Sequence, residues 1–263
     1  MNRILSAVII YIFLQGVAFV PHLLARERDQ EKTAPLTGFL IGANFWYTWW
    51  SPPWRTIRVD KLLPWWHINP KIDAALEFGI SAAVRFDDSW ILATLLNFGE
   101  YGVTVKKYYP LPVPYKPKFE SKVQRFDGST TAGYTINPYV RVIAGLKYGG
   151  RMVRLRYIRS YSFNAGYAGP VAGFGFVLPI VSSLSFEPVV SGAIIGGRER
   201  NRPTAQAGYA ISGAFVYKTL SSRMAISIGG RYEYLKHIGS GDPYCIQDDD
   251  QIYGMTISLA FIF

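Results

Sequence analysis

Charged residues recur at alternate positions in segments that are otherwise apolar or small. Glu77 and Arg85, for example, fall on one side of a period-two pattern whose other side carries Leu76 and Phe78. If such segments are strands, the charges share one face and line an interior. There they could guide small ions, or pair with one another and close the passage. The predicted interior residues are Asp73, Glu77, Arg85, Glu100, Lys106, Arg141, Lys147, Arg154, Arg156, Glu187, Lys218, Arg231 and Glu233.

Hydrolytic chemistry has a weaker basis in this sequence. Outside the first 25 residues the histidines are His67 and His237, and Asp242 or Asp248 could approach His237. An acid and a histidine are two parts of a hydrolytic triad, but no nucleophile accompanies them. The sequence carries no metal-ligand cluster, phosphate-binding loop or dinucleotide fingerprint. We therefore expect no enzyme, no cofactor and no metal, with a lipid-modifying or proteolytic enzyme as the weaker alternative.

Two long connections carry aromatic and basic side chains that could bind a surface ligand. Segment 49–70 contains five of the seven tryptophans, and segment 107–125 contains lysines among alternating prolines. Tryptophan suits an apolar ligand, a host surface, a membrane interface or a lid over the barrel mouth. The lysine-rich segment could contact anionic glycan, although it could equally be a solvated loop. The predicted loop-binding residues are Trp49, Trp50, Trp54, Trp65, Trp66, Lys116 and Lys118.

The N-terminus predicts export. Arg3 precedes an apolar run, and small residues at 16–18 predict cleavage after residue 18, with cleavage after residue 25 as the alternative. The domains expected are a signal peptide at 1–25, a periplasmic segment at 26–36 and a barrel at 37–263. The lone Cys245 excludes an intrachain disulfide. The net charge of +10 favours anionic partners, while export argues against nucleic acid.

The elements that must position these residues are short alternating strands. We predict ten, with eight as the alternative count: 37–48, 71–86, 90–106, 126–136, 139–149, 160–178, 184–197, 204–219, 223–237 and 251–263. The connections between them are alternately short and mostly long. In a bacterial outer-membrane barrel the short turns face the periplasm and the long loops face outward.

The last segment shows the alternation most clearly, because large residues alternate with Gly254, Thr256, Ser258 and Ala260. In a membrane barrel the large face meets lipid and the small face meets the interior. A soluble barrel would bury the large face instead, but aromatic residues cluster towards strand ends as in membrane-interface girdles. The predicted fold is therefore all-β, a transmembrane antiparallel up-and-down barrel. Its membrane-insertion signal would be Tyr253, Met255, Ile257, Leu259, Phe261 and Phe263.

This arrangement resembles the small outer-membrane barrels of the opacity, OmpA-like and OmpW-like type. The resemblance rests on the export signal, the Arg231-Tyr232-Glu233-Tyr234 strand and the terminal strand that ends in Phe263. It implies that the barrel-insertion machinery reads the terminal strand. Omptin-type proteases also have ten strands, but their pairing of acidic residues with a histidine finds no match here.

The function expected from these features is a small porin-like channel for small anionic or amphipathic solutes. The alternative is a surface adhesin or structural barrel that binds anionic glycan or a host surface through its aromatic and basic loops. The expected partners are outer-membrane lipid, a lipopolysaccharide-like glycolipid and the barrel-insertion machinery. The expected location is the outer membrane, with the long loops extracellular.

Overall fold

The computed structural model describes residues 38–52, 54–58, 67–86, 89–109, 121–156, 160–199, 202–219, 223–238, 245–247 and 249–263. They form fourteen strands: β1 (Phe39–Ser51), β2 (Trp54–Arg58), β3 (His67–Ile72), β4 (Ala75–Arg85), β5 (Trp90–Tyr109), β6 (Ser121–Asn137), β7 (Val140–Arg156), β8 (Ser160–Phe176), β9 (Leu178–Val181), β10 (Leu184–Glu199), β11 (Arg202–Lys218), β12 (Met224–His237), β13 (Cys245–Gln247) and β14 (Asp250–Ile262). Among these residues, no helix is long and apolar enough to cross a membrane. The predicted signal peptide and periplasmic segment lie outside the described residues and stay predictions.

Ten strands form a closed antiparallel ring in the order β1, β4, β5, β6, β7, β8, β10, β11, β12 and β14. The first and last strands close it, in register from Leu40 opposite Ile262 to Ser51 opposite Gln251. Backbone hydrogen bonds between Phe39 and Phe263 complete this seam. A closed ring leaves no unpaired strand edge, which is what a bilayer requires of spanning strands.

The other four strands extend the barrel wall at its two ends. Strand β3 pairs with the far part of β5, so β3 and β4 act as one strand interrupted at residues 73–74. Strand β2 pairs with both β3 and β13, which joins the first and last long connections beyond the ring. Strand β9 pairs with the start of β10 at the opposite end. We call these the long-loop end and the short-turn end.

The exterior of the ring is apolar and its interior is largely polar. On β14, Ile257 is 54% exposed while its neighbour Ser258 is 7% exposed. Phe45 and Ile228 flank Ile257 on the adjacent strands and are exposed as well. A continuous apolar exterior around a polar interior is the reverse of a soluble barrel. The ring is therefore a membrane-spanning β-barrel of the outer-membrane type.

The fold confirms the ten predicted strands and their antiparallel closure, and the count of eight is wrong. Several strands are longer than predicted. Strand β1 continues to Ser51, β6 begins at Ser121 and β7 continues to Arg156, so parts of three predicted loops belong to the wall. Strands can extend past a bilayer because the ladder hydrogen bonds continue into the extramembrane wall.

The predicted faces of β5 are the wrong way round. Ile91, Leu95 and Tyr101 point inward and are buried, whereas Leu92 and Phe98 are exposed on the exterior. Both faces of this strand are rich in large apolar residues, so hydrophobicity alone does not distinguish lipid from interior. Here the interior takes the aliphatic residues because an apolar layer fills it at the short-turn end.

Candidate functional site

The interior near the long-loop end holds a cluster of buried charged residues, which we call the interior charge cluster. It brings together side chains from β4, β6, β7, β12 and β14. Inward-facing side chains on adjacent strands are neighbours along the wall. Because the ring is narrow, long side chains from opposite walls also reach one another. Its members are Glu77, Arg125, Asp127, Lys147, Arg151, Arg231, Glu233 and Asp250, four cations and four acids.

Trp50 lies at the centre of the part of this cluster that is nearest the long-loop end. Its indole Nε1 donates to Asp250 Oδ1 over 2.7 Å, and Asp250 also accepts a hydrogen bond from Arg151. The guanidinium groups of Arg125 and Arg151 lie 5.1 and 5.2 Å from the Trp50 ring centroid. Arg125 in turn donates to Asp127. The tryptophan is thus held by two cation–π contacts and one hydrogen bond, which fixes its position across the interior.

The part of the cluster that is further from the long-loop end contains two carboxylates. Glu233 pairs with Lys147 and accepts a hydrogen bond from Arg231 Nη2 at 2.7 Å. Glu77 accepts from the Tyr101 hydroxyl, which also shares a 2.8 Å hydrogen bond with the hydroxyl of another interior residue, Thr48. Both carboxylates are almost completely buried. Two cations thus compensate the buried charge of Glu233, whereas Glu77 has the Tyr101 hydroxyl as its hydrogen-bond donor.

On the short-turn side of the cluster the interior contains a cavity of about 60 Å³. Its lining is mostly apolar and includes Ile143 and Val189, while the hydroxyl groups of Ser129 and Thr131 and the ammonium group of Lys147 are among its polar parts. A water molecule needs roughly 10–15 Å³ of such volume, so the cavity has room for about four to six waters. We call it the interior chamber.

The interior narrows again at the short-turn end. An apolar layer packs there, formed by Leu40, Ala83, Ile91, Ala93, Ala214, Val216, Ala225 and Ala260. Beside it Glu187 is fully buried and accepts a hydrogen bond from Ser185 over 3.0 Å. Arg141 and Lys218 lie close enough to attract the Glu187 carboxylate. The chamber is therefore bounded at both ends.

Several buried polar atoms of the interior have no hydrogen-bond partner among the described residues. They are Asn44 Nδ2, Trp46 Nε1, Glu77 Oε2, Arg125 Nη1, Arg151 Nε and Glu187 Oε2. Buried polar groups in folded proteins are almost always paired with protein or with water. An interior with this many available donors and acceptors is one that water can enter.

The predicted interior residues whose side chains the structure describes fall into three groups. Glu77, Lys147, Arg231 and Glu233 belong to the interior charge cluster, while Arg85, Arg141, Glu187 and Lys218 face inward near the short-turn end. The side chains of Lys106 and Arg156 lie outside the described set. Asp73, Glu100 and Arg154 form the third group, which is described next.

Asp73, Glu100 and Arg154 are exposed, and their prediction as interior residues is wrong. Glu100 is exposed because it lies on the same face of β5 as Leu92 and Phe98, which is the exterior face. Arg154 has the same parity as the exposed Leu146 on β7, because the strand continues without a change of register through residues 149 and 150. Asp73 lies in the interruption between β3 and β4, where it accepts a hydrogen bond from the exterior Thr104.

Two predicted loop residues belong to the barrel wall. Trp50 is 5% exposed inside the barrel, so it cannot offer a surface for binding. Trp49 is on the exterior of β1 and stacks on Tyr253 with ring centroids 5.8 Å apart, a position typical of an interface girdle. The placement of both residues in a loop is wrong because β1 extends beyond residue 48. The side chains of Trp54, Trp65, Trp66, Lys116 and Lys118 lie outside the described set, and their surface role stays a prediction.

The terminal strand has the predicted orientation. Tyr253, Met255, Ile257 and Phe261 are exposed on the exterior, as is the final Phe263, while Leu259 is half-buried on the same face. These side chains form part of the apolar belt. Their reading by the insertion machinery stays a prediction.

The sequence interpretation missed half of the interior charge cluster. It placed Arg125, Arg151, Asp250 and the contacting Trp50 in loops. It placed Asp127 in a strand but did not assign it to the interior. The signal for them was present, since Arg125 and Asp127 continue the alternation of Ser129 and Thr131, and Arg151 continues that of Lys147. Extending each strand by parity beyond its apolar part would have found them.

His237 lies at the long-loop end of β12, outside the membrane-spanning part. Gln206 Nε2 donates to its Nε2 over 2.6 Å. Burial lowers the pKa of His237, and the Arg151 charge lowers it further, so its neutral form is favoured. Asp242 and Asp248 lie outside the described residues, so the triad hypothesis stays untested. Among the described residues no group of three or more His, Cys, Asp or Glu side chains is placed to hold a metal.

Among the comparisons with known proteins, only the one with solved structures found similar chains. No protein-family model and no curated protein matches the chain. The outer membrane protein OprG from Pseudomonas aeruginosa is 10% identical, over 87% of this chain and 97% of that one, with a TM-score of 0.38. The outer membrane protease OmpT from Escherichia coli is 9% identical over 89% and 99%, with a TM-score of 0.42. The Pseudomonas putida toluene transporter TodX is 6% identical over 95% of each chain, with a TM-score of 0.33. A protease and a transporter appear together, so these likenesses identify no activity.

Proposed function

We propose that this protein is a gated, narrow outer-membrane pore for small polar solutes, in which the interior charge cluster is a displaceable plug. The observation that carries this proposal is the interior chamber, which lies between the cluster and the short-turn constriction and is lined by hydroxyl groups and Lys147 as well as by apolar side chains. Replacing buried ion pairs with apolar residues is often neutral or stabilising, so structural demand alone does not account for a charged interior. A path that must admit water and ions accounts for a charged interior.

The solute class follows from the charges along this path. The interior charge cluster is balanced, but the described interior side chains at the short-turn end comprise Arg85, Arg141 and Lys218 against Glu187. An excess of cations in a low-dielectric passage raises the local concentration of anions. We therefore propose small anions as the preferred solutes.

The test is single-channel recording in planar bilayers. Arg151→Ser with Asp250→Ser removes one buried pair together, leaves no unpaired charge from it and widens the passage. We expect the wild type to conduct weakly and the double variant to conduct several-fold more, with a reversal potential in a KCl gradient that favours chloride. The matched control, Lys122→Ser with Glu100→Ser, removes an exterior pair and should leave conductance unchanged. Tight seals from the wild type, from the folded plug variant and from that variant with Ile91→Ala added, which also widens the short-turn layer, would refute the pore.

A further inference from the structure

The barrel exterior carries a groove of about 700 Å³ that crosses β4 to β8 near the long-loop end. Its floor is a row of aromatic rings, since Phe78, Phe98 and Phe126 lie opposite one another on adjacent strands. The rings of Phe98 and Phe126 are 4.9 Å apart. Gly150 lies opposite Phe126 on β7, and its missing side chain gives the groove its depth. We call this surface the amphipathic groove.

A polar rim borders the aromatic row on the side of the long loops. Glu100 lies opposite Gln124, and Lys122 lies opposite Arg154, one row further out. Lys122 Nζ is 2.6 Å from Glu100 Oε1, and its side chain is 55% exposed. Hydrogen bonds from Lys122 and Gln124 lower the pKa of Glu100, so the carboxylate is charged and holds both donors at the rim. Lys122 and Arg154 are thus two exposed cations that lie one row beyond the residues that line the groove, with the Glu100 carboxylate in the row between. Arg154 Nη2 is 3.1 Å from the sulfur of Met152, which is at the edge of the groove.

We infer that the amphipathic groove binds a phosphorylated, multiply acylated glycolipid of the outer leaflet. Its acyl chains would lie on the aromatic row, and a phosphate would bind Lys122 and Arg154. The headgroup level fits because anionic groups gather where basic side chains border the apolar belt. The assignment depends on the predicted outward direction of the long loops, and it is independent of whether the interior conducts.

The dimensions favour a multiply acylated glycolipid over a two-chain phospholipid. The groove crosses five strands, and adjacent strands are about 4.8 Å apart, so it is about 19 Å across. Several parallel chains can occupy this width. Arginine and lysine side by side also suit a phosphate that accepts from both at once.

Lipid retention on the purified full-length barrel tests the site. The probe is a diphosphorylated, multiply acylated glucosamine disaccharide, compared with its dephosphorylated form and with phosphatidylethanolamine, by native mass spectrometry. We expect selective binding of the diphosphorylated form and at least a tenfold weaker affinity after Lys122→Gln with Arg154→Gln, since both charge-assisted hydrogen bonds to the phosphate are lost. The matched control is Arg198→Gln with Lys236→Gln, which removes two exposed cations at the same end on β10 and β12.

A second variant tests the groove itself. Gly150→Leu places a side chain beside Phe126, where its Cβ would lie 3.2 Å from the Ala165 carbonyl oxygen, so only a small shift is needed. Heat-modifiable migration on gels confirms that the barrel has folded. We expect this variant to lose glycolipid affinity as well. Equal affinity of the rim and control variants, or equal binding of phosphatidylethanolamine, would overturn the proposal.

Discussion

At the residue scale, the interior depends on carboxylates that each serve more than one donor. Asp250 accepts from Trp50 and Arg151, and Glu233 interacts with Lys147 and Arg231. Removing such an acceptor leaves a buried cation without its partner. This arrangement makes single substitutions costly and paired substitutions mild.

We expect Asp250→Ala to destabilise the barrel by about 3–5 kcal/mol, because Arg151 then stays buried with its counter-charge removed. Equilibrium unfolding in urea, from lipid vesicles, measures the loss. Arg151→Met with Asp250→Leu should be neutral or more stable than wild type. The exposed pair provides the control, since Glu100→Gln should not move the unfolding midpoint. An Asp250→Ala variant as stable as wild type would show that this pair contributes no net stability.

Residues of this kind were only partly predictable from the sequence. Lys147 and Glu233 were found because apolar neighbours mark their strands on both sides. Arg151 and Asp250 lie where the strands leave the bilayer, so the apolar side of the alternation ends before they do. The backbone ladder continues there, but hydrophobicity no longer reports it.

At the element scale, close strand approach depends on particular glycines. A Cβ at Gly208 on β11 would lie 1.8 Å from the carbonyl oxygen of Tyr234 on β12, closer than real atoms approach. At Gly196 on β10 the nearest heavy atom would be 4.0 Å away. Both glycines lie in strands of the same wall, so they form a matched pair.

We expect Gly208→Ala to reduce the yield of folded barrel sharply, because the β11–β12 backbone would have to separate. Gly196→Ala should fold at wild-type yield, since the added methyl group meets ordinary contact distances. Refolding into detergent, followed by heat-modifiable gel migration, measures the folded fraction of each. Equal folding of both variants would show that the wall absorbs the clash.

The number and order of the strands could be read from the sequence, because ten alternating segments separated by turns define them. The face of β5 could not, because Ile91 and Leu95 are as apolar as Leu92 and Phe98. The pairing register of β5 with its neighbouring strands decides which of its faces meets lipid. That information lies in long-range pairing and not in the strand itself.

At the scale of the whole molecule, the apolar belt sets the position of the barrel in the membrane. Ile257 lies near the middle of the belt on β14, while Tyr253 stacks on Trp49 towards the long-loop end. The cost of a lipid-facing charge depends on its depth in the bilayer.

We expect Ile257→Lys to destabilise the barrel by about 2–4 kcal/mol, whereas a lysine near the interface costs about 0–1 kcal/mol. Comparison of Tyr253→Leu, which removes the ring and adds no charge, with Tyr253→Lys separates the loss of the ring contact from the added charge. Unfolding titrations in vesicles measure both positions. Equal costs at positions 253 and 257 would contradict the depth that we assign to them.

The seam between β1 and β14 also determines the order of events in assembly. These strands are the first and last of the ring, so the barrel cannot close until the final residues of the chain have arrived. Until then the growing sheet has two unpaired edges and an apolar face, the combination that promotes edge-to-edge aggregation. A chain truncated before β14 would therefore keep both edges unpaired and its apolar face uncovered.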